Sequence, residues 1–416
     1  MAFNFGTTVY FVLILFISHA CIPNNKPNNE LKSLLLEEMP SLATILEKAK
    51  DYEVQIIYTR IDRNKDGKPE FITYAFNLDS QRYFYPASTV KFPISLMALE
   101  KLNELNIPLL RKESIILTDS SFLGQTRAEL DSTAENGLPS IAHYIRKIMI
   151  VSDNDAYNRL YEFLGQEYIF KALRGKAYQN TRINHRLAIA LSEEQNRATN
   201  AIRFLENGRE IYRQAPAYNT LAYPVIPAVK KGIGYIDGDT LINEPFDFST
   251  KNFFSLSDQH LMLKALFFPE YVDKKNVFNL SDEDYQFLYK SMSELPKQSN
   301  FPPYKNDPDL YDAYCKFLMY GSERDAKIPS NIKIFNKIGV AYGTVTDNAY
   351  IIDTDNGIEF MLSATILCNE NGIFNDGKYE YESIAYPFMR DLGKAVYSHE
   401  LKRNKKYLPD FSRFEF

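Results

Sequence analysis

The 416-residue chain has no tryptophan, five histidines and three cysteines, and it carries no excess of basic residues. So few imidazoles and thiols, nowhere clustered, argue against zinc-centred catalysis. The 48 lysines and arginines against 53 aspartates and glutamates give a formal charge of -5 with no basic stripe, so nucleic acid is not an expected partner. No internal repeat or low-complexity tract is present. What is there is ordinary in bulk: 45% apolar and 24% charged residues, as in a soluble globular protein, at a length for one large domain or two smaller ones.

The amino terminus carries an unbroken apolar run of nine, Val9 to Ile17. It is too short to span a bilayer but suits the core of a signal peptide. Ser18-His19-Ala20-Cys21 comes next, and small residues before a cysteine resemble the lipobox of bacterial lipoproteins, in which that cysteine is lipidated after cleavage. No Lys or Arg precedes the run, and Ser18 stands where leucine is usual. The expectation is an exported protein, periplasmic or membrane-anchored, whose only membrane attachment is a lipid on Cys21. Residues 22–30 are rich in Pro and Asn and suit a tether. The remaining Cys315 and Cys368 fit one disulfide or two buried thiols equally.

Residues 1–21 therefore read as the targeting segment and 22–44 as tether and leading helix. Residues 45–402 read as one domain with insertions at about 201–252 and 296–330, and 403–416 as a tail. Glu30 to Lys50 has a helical apolar face interrupted by Pro40. Glu53–Ile61 and Glu70–Phe76 read as strands. Between them, Asp62-Arg63-Asn64-Lys65-Asp66-Gly67 imitates the start of a calcium loop, but its twelfth position is Thr73 and no helices flank it, so a hairpin turn is expected. Helices are expected from near Ser88 to Leu102, over Ser140–Val151 and over Ala156–Leu164, then at Ser257–Phe267 and Asp282–Leu295. Hairpin signals such as Ile236-Asp237-Gly238-Asp239 fill the stretch between. The chain closes with strands Ile332–Ile338, Asn348–Asp353 and Glu359–Cys368 and a helix Glu382–Leu401. Blocks of helix and strand, with a sheet drawn from both ends of the chain, predict an α+β fold.

Three short motifs carry chemistry: Ser88-Thr89-Val90-Lys91, Ser152-Asp153-Asn154 and Lys337-Ile338-Gly339. Ser-x-x-Lys alone is weak, since about one or two arise by chance at average composition, and Ser330-Asn331-Ile332-Lys333 is a second instance. Only Ser88 opens an apolar helical segment. There Lys91 shares a face with Ser88, and the helix N-terminus favours developing negative charge. A buried lysine near other cations loses proton affinity and can act as a base. The plainer role for Ser88 is a helix N-cap. Ser-Asp-Asn is rarer and sits between two helical segments, where a simple turn is the plain alternative.

In order, spacing and setting, the three motifs resemble the penicillin-recognising serine enzymes, and most closely the class A β-lactamases. Tyr342-Gly343-Thr344, Asp347 and Ala349 also resemble the residues just after the third motif in that family. The resemblance spans roughly residues 45–400 and implies the β-lactamase/transpeptidase-like α+β fold. It implies Ser88 as the acylated nucleophile, Lys91 as its proton acceptor, and Ser152 as the shuttle toward the leaving nitrogen. Asn154 would bind the substrate's side-chain amide and Lys337 its carboxylate, with Gly339, Val340 and Thr344 completing the substrate side. The N–H groups of Ser88 and Val340 would form an oxyanion hole, and Asp153 would be structural.

Two departures stand out. The middle residue of the third motif is usually a hydroxyl that binds the substrate carboxylate, whereas Ile338 cannot donate a hydrogen bond. Class A enzymes also release their acyl-enzyme with a glutamate in a loop after the second motif. Here Glu193 and Glu194 lie 41 and 42 residues after Ser152, without the family's surrounding pattern. They are candidate bases and equally fit solvated charges. The expected function is a monomeric, cofactor-free serine hydrolase opening β-lactam-type amides through acyl-Ser88. The alternatives are a D-Ala-D-Ala peptidase acting on peptidoglycan peptides with slow deacylation, or a non-catalytic cell-envelope binding protein on the same fold. The lack of a His/Cys cluster speaks against a zinc β-lactamase.

Overall fold

A computed structural model describes residues 28–223, 226 and 229–416. The apolar run Val9–Ile17 and Cys21 lie outside these residues. No helix among the described residues is long and apolar enough to cross a membrane.

The frame is an antiparallel five-stranded sheet. Its strands are β1 (Gln55–Arg63), β2 (Pro69–Phe76), β3 (Ile332–Ala341), β4 (Thr344–Asp353) and β5 (Ile358–Leu367), in the spatial order β3-β4-β5-β1-β2. Both ends of the chain thus build one sheet, and the α+β architecture read from the sequence is the one present. The calcium-like loop is a hairpin turn, with the Asn64 side chain accepting the amides of Asp66 and Lys68 at 2.9 and 3.1 Å.

Strand pleating divides the core in two. Ile334, Ile351, Phe360, Leu362, Ala364 and Ile366 face one side. There they meet helix α1 (Asn28–Glu38) and the carboxy-terminal α9 (Tyr386–Lys402). Phe335, Tyr350, Ile352 and Met361 face the other side and the helical half of the molecule. That half is built around α2 (Lys91–Leu105), which is buried on every side over Lys91–Glu100, as befits a helix with an almost uninterrupted apolar sequence. Around it pack α3 (Ile141–Val151), α4 (Asn154–Leu164), α5 (Gln166–Gly175), α7 (Leu256–Phe267) and α8 (Asp282–Ser293). A short helix α6 (Glu193–Arg197) sits on the surface.

Several sequence expectations shift. Ser88 does not begin an α-helix: it lies in a 3-10 turn, Ala87–Val90, whose N-cap is Pro86, and it caps nothing. Pro40 opens a new 3-10 turn after α1, since proline is accommodated at the start of a helix and not inside one. Helix α5 is an addition to the elements expected from the sequence. β4 begins at Thr344, four residues earlier than the apolar pattern suggests, because Thr344, Thr346 and Asp347 are polar yet buried and paired in the ladder. Cys315 and Cys368 are both buried and free, so the two-thiol arrangement holds.

Residues 313–319 are wedged between the sheet and α9. Asp347 accepts the amides of Phe317 and Leu318 at 3.2 and 3.0 Å. On the other side, a Cβ on Gly393 of α9 would lie 2.2 Å from the Met319 nitrogen. Gly393→Ala must therefore push helix and segment apart. The expected cost is about 2–3 kcal/mol, read as a lowered urea midpoint with unchanged slope.

Candidate active site

The first element of the site is a strained turn. Ala87, buried and not glycine, is held at φ +47°. That left-handed residue turns the chain so that Ser88, half-buried, stands at the entrance to α2. One turn on, Lys91 is fully buried.

The second motif is a junction between helices. α3 ends on Ser152 in the left-handed conformation at φ +61°, and Asp153 then caps α4 by accepting the Ala156 amide at 2.8 Å. Lys147 of α3 steadies this turn, 3.8 Å from Asp153 and 2.9 Å from Asp131. The Thr133 hydroxyl and the Lys147 ammonium hold the Asp131 carboxyl at about 2 against the opposing effect of burial. The junction throws Ser152 and Asn154 toward Lys91. Lys91 Nζ donates to Asn154 Oδ1 at 2.8 Å and lies 3.2 Å from Ser152 Oγ, and it also reaches the Ser152 carbonyl oxygen.

The third motif lies on β3, the edge strand. Lys337 Nζ is 2.8 Å from the same Ser152 Oγ and donates to the Ile338 carbonyl oxygen at 2.9 Å. One hydroxyl is therefore shared between two buried amines. Burial, and then the neighbouring Lys337, hold the Lys91 amine well below its ordinary value. Burial pushes Lys337 down to about 8. Among the described residues, the side-chain partners of Lys91 Nζ are Ser152 and Asn154, and Ser88 Oγ is not one of them.

Gly339 brings the strand against the Ser88 turn. A Cβ there would lie 2.5 Å from the Pro86 carbonyl oxygen and 3.1 Å from the Ser88 nitrogen. Ala341 and Thr344 pair across a two-residue hairpin whose turn residues, Tyr342 and Gly343, both have positive φ (+51° and +74°), a type I′ turn. Thr344 is buried at its end.

Residues 40–222 match the model of the β-lactamase enzyme family, a span that holds the first two motifs but not Lys337. That part of the chain is similar to the β-lactamase enzyme family. Solved structures similar to it include a β-lactamase from Sphaerobacter thermophilus, with 12% identity over 90% of this chain and 98% of that one and a TM-score of 0.47. A β-lactamase from Desulfarculus baarsii is 13% identical over 91% of this chain and 100% of that one, with a TM-score of 0.48. PBP-A is 17% identical over 91% and 98%, also with a TM-score of 0.48. No curated protein sequence matches.

Against the family's pattern, the place of Ile338 is explained by the pleat. Ladder partners share a face, so Lys337 with Asn348 and Gly339 with Thr346 look toward the helical half, while Ile338 with Asp347 looks the other way. Ile338 is buried in the core beneath α9. It fills a hydrophobic position and leaves the cleft face of β3 to Lys337 and Gly339.

The two glutamates make no hydrogen bond or ion pair with the three motifs. Both occupy the exposed first turn of α6, which Ser192 and Gln195 cap, and Glu193 is 56% exposed and ion-paired to Arg197 at 3.3 Å. Glu193 does reach the rim of a cavity of about 390 Å³ lined by residues 184–191, Tyr85, Thr250, Lys251 and Tyr342, whereas Glu194 does not. No other carboxylate among the described residues lines that cavity. His185, which does, is held neutral: its two ring nitrogens contact the Arg186 carbonyl oxygen and the Asn252 amide, and burial lowers it to about 4.

The aromatic wall of the site is not legible in the sequence. Tyr85 packs edge-on to Tyr342 at 4.8 Å and parallel to His185 at 6.3 Å. Its only signal is a tyrosine three residues before Ser88. The closeness of Gly339 to the nucleophile turn gives a test. Gly339→Ala should keep native circular dichroism yet slow acylation of Ser88 by about a hundredfold, because the turn is displaced by a fraction of an ångström or more.

Proposed function

We propose that the protein is a serine hydrolase that opens β-lactam-type amides through an ester on Ser88. The observation that carries this reading is the convergence of Lys91 and Lys337 on Ser152 Oγ, with Gly339 of the same strand packed against the Ser88 backbone. In its neutral form Lys91 takes the Ser88 hydroxyl proton, directly or through water, as Ser88 Oγ bonds to the amide carbon. The N–H groups of Ser88 and Val340 hold the oxyanion. The proton passes from Lys91 through Ser152 Oγ to the leaving nitrogen as the carbon–nitrogen bond breaks, and the acyl group stays on Ser88. Lys337, charged, attracts the substrate carboxylate, and Asn154 binds the side-chain amide.

A specific observation favours a second reading, a penicillin-binding peptidase with a long-lived ester. Hydrolysis needs a base for the incoming water. The cavity residues 184–191 contain no carboxylate, His185 has both nitrogens engaged, and Glu193 is tied to Arg197 at the rim.

Intact-mass spectrometry during a penicillin time course separates the two. Wild type should gain one penicillin mass and Ser88→Ala none. Clearance of the adduct with product accumulation supports hydrolysis, persistence supports the peptidase, and no adduct at any time would falsify both. If Glu193 or Glu194 is the base, the corresponding Gln variant holds an adduct that wild type clears.

The acylation rate should be bell-shaped in pH. Lys91 must be neutral and Lys337 charged, and Lys91 gives up its proton first because burial, and then repulsion by Lys337, disfavour its charged form. Raising pH therefore speeds acylation, then slows it as Lys337 discharges near pH 8. Stopped-flow acylation should show that alkaline limb, and Lys337→Arg should move it upward, since a guanidinium keeps its charge.

A further inference from the structure

A second cleft, of about 620 Å³, collects cations on a chain whose net charge is negative. Arg82, Arg174, Arg182, Lys230 and Lys231 line it, with Glu53 the only carboxylate among the described residues there. It shares no lining residue with the cavity beside Tyr85 and contains none of Ser88, Lys91, Ser152, Asn154 and Lys337.

The cations outnumber the carboxylates that face them. Glu53 pairs with Lys231, and Asp79 lies 3.9 Å from Arg82. Lys230 faces Asp247 across a short two-stranded ladder. Arg174 has no carboxylate in ion-pair reach among the described residues: it donates to Gln179 Oε1 at 2.6 Å and lies over the Phe170 ring at 5.6 Å. Arg182 is buried and directs its guanidinium to the carbonyl oxygens of Ser249 and Lys251; burial lowers its proton affinity, and the Glu193 carboxylate opposes that. Like charges gathered in a concave, low-dielectric wall focus a positive potential into the cleft. Guanidinium forks beside ammonium groups match a phosphate, which accepts bidentate bonds and offsets several cations at once. Tyr83, Phe170 and Phe253 give the cleft an apolar side for whatever carries the charge.

We propose that this cleft is a phosphate-binding site, taking a phosphate group between Arg82, Arg174 and the Lys230–Lys231 pair. The phosphate belongs either to a small soluble ester or to a lipid headgroup. The site is independent of acylation, so Ser88→Ala protein should bind as wild type does.

The test is isothermal titration of the full chain with inorganic pyrophosphate, beside co-sedimentation with phosphatidylglycerol vesicles and phosphatidylcholine controls. The expected result is one saturable site, weakened by salt. Arg174→Gln/Lys230→Gln, two side chains that reach solvent, should keep native circular dichroism and bind at least about tenfold more weakly, because two charge-assisted contacts are lost. Pyrophosphate binding lost in the double variant supports a soluble phosphate. Phosphatidylglycerol-specific sedimentation lost in that variant supports a headgroup. No saturable binding in either arm, or binding unchanged in the double variant, overturns the proposal.

Discussion

Two lysines buried against a single serine hydroxyl set the terms for the rest of the molecule. An amine taken out of water favours its neutral form, and a second amine beside it deepens the preference. Lys91 and Lys337 stand in that relation, with Ser152 Oγ between them at 3.2 and 2.8 Å. The arrangement costs folding free energy, since each buried cation loses hydration that one shared hydroxyl and a few carbonyl oxygens only partly restore. It persists because its three members come from three rigid elements: the buried helix α2, the α3–α4 junction and the edge strand β3. None of the three can relax without moving a core.

The supports behind these elements follow the same logic. Behind β3, Lys316 is buried and donates to the carbonyl oxygens of Met292 and Ile334 and to Asn336 Oδ1, while Asn336 donates to Asp347 Oδ1 at 2.8 Å. Burial pushes Lys316 down to about 8 and raises the Asp347 carboxyl. This closed polar network fixes the back of the strand whose front carries Lys337. The Lys147–Asp131 pair does the corresponding work for the turn that holds Ser152 and Asp153. In front, the short contact between Gly339 and the Pro86–Ser88 turn leaves no room for a side chain.

The mouth of the cleft is built differently, from the stretch the sequence marks as inserted. Phe246 and Phe248 pack with Tyr85, Tyr342 and Phe374 into an aromatic cluster beside the Ser88 turn. The same stretch supplies Lys251 to the cavity by Tyr85 and the Lys230–Lys231 pair to the basic cleft behind it. This stretch thus lines both cavities, while Lys91, Ser152 and Lys337 sit on the frame of helices and sheet.

The α+β architecture and the five residues Ser88, Lys91, Ser152, Asn154 and Lys337 were legible in the sequence, because periodicity and motif spacing are local properties. The meeting of Lys91 and Lys337 on the Ser152 hydroxyl was not, since it joins residues 61 and 185 positions apart in the chain. Nor was the meaning of Ile338: read as a letter it is a missing hydroxyl, but the strand register turns it into the opposite core. Glu193 and Glu194 had a suggestive spacing, and only the fold shows them on an exposed helical turn, with Glu193 tied to Arg197. By itself the sequence determined which hydroxyls, amines and amides stood in the three motifs and most of the segments that would form helix or strand. Tertiary structure alone decided which amine lost its proton affinity, which glutamate faced water and which cations shared a cleft, because burial and proximity are set by the packing of segments far apart in the chain.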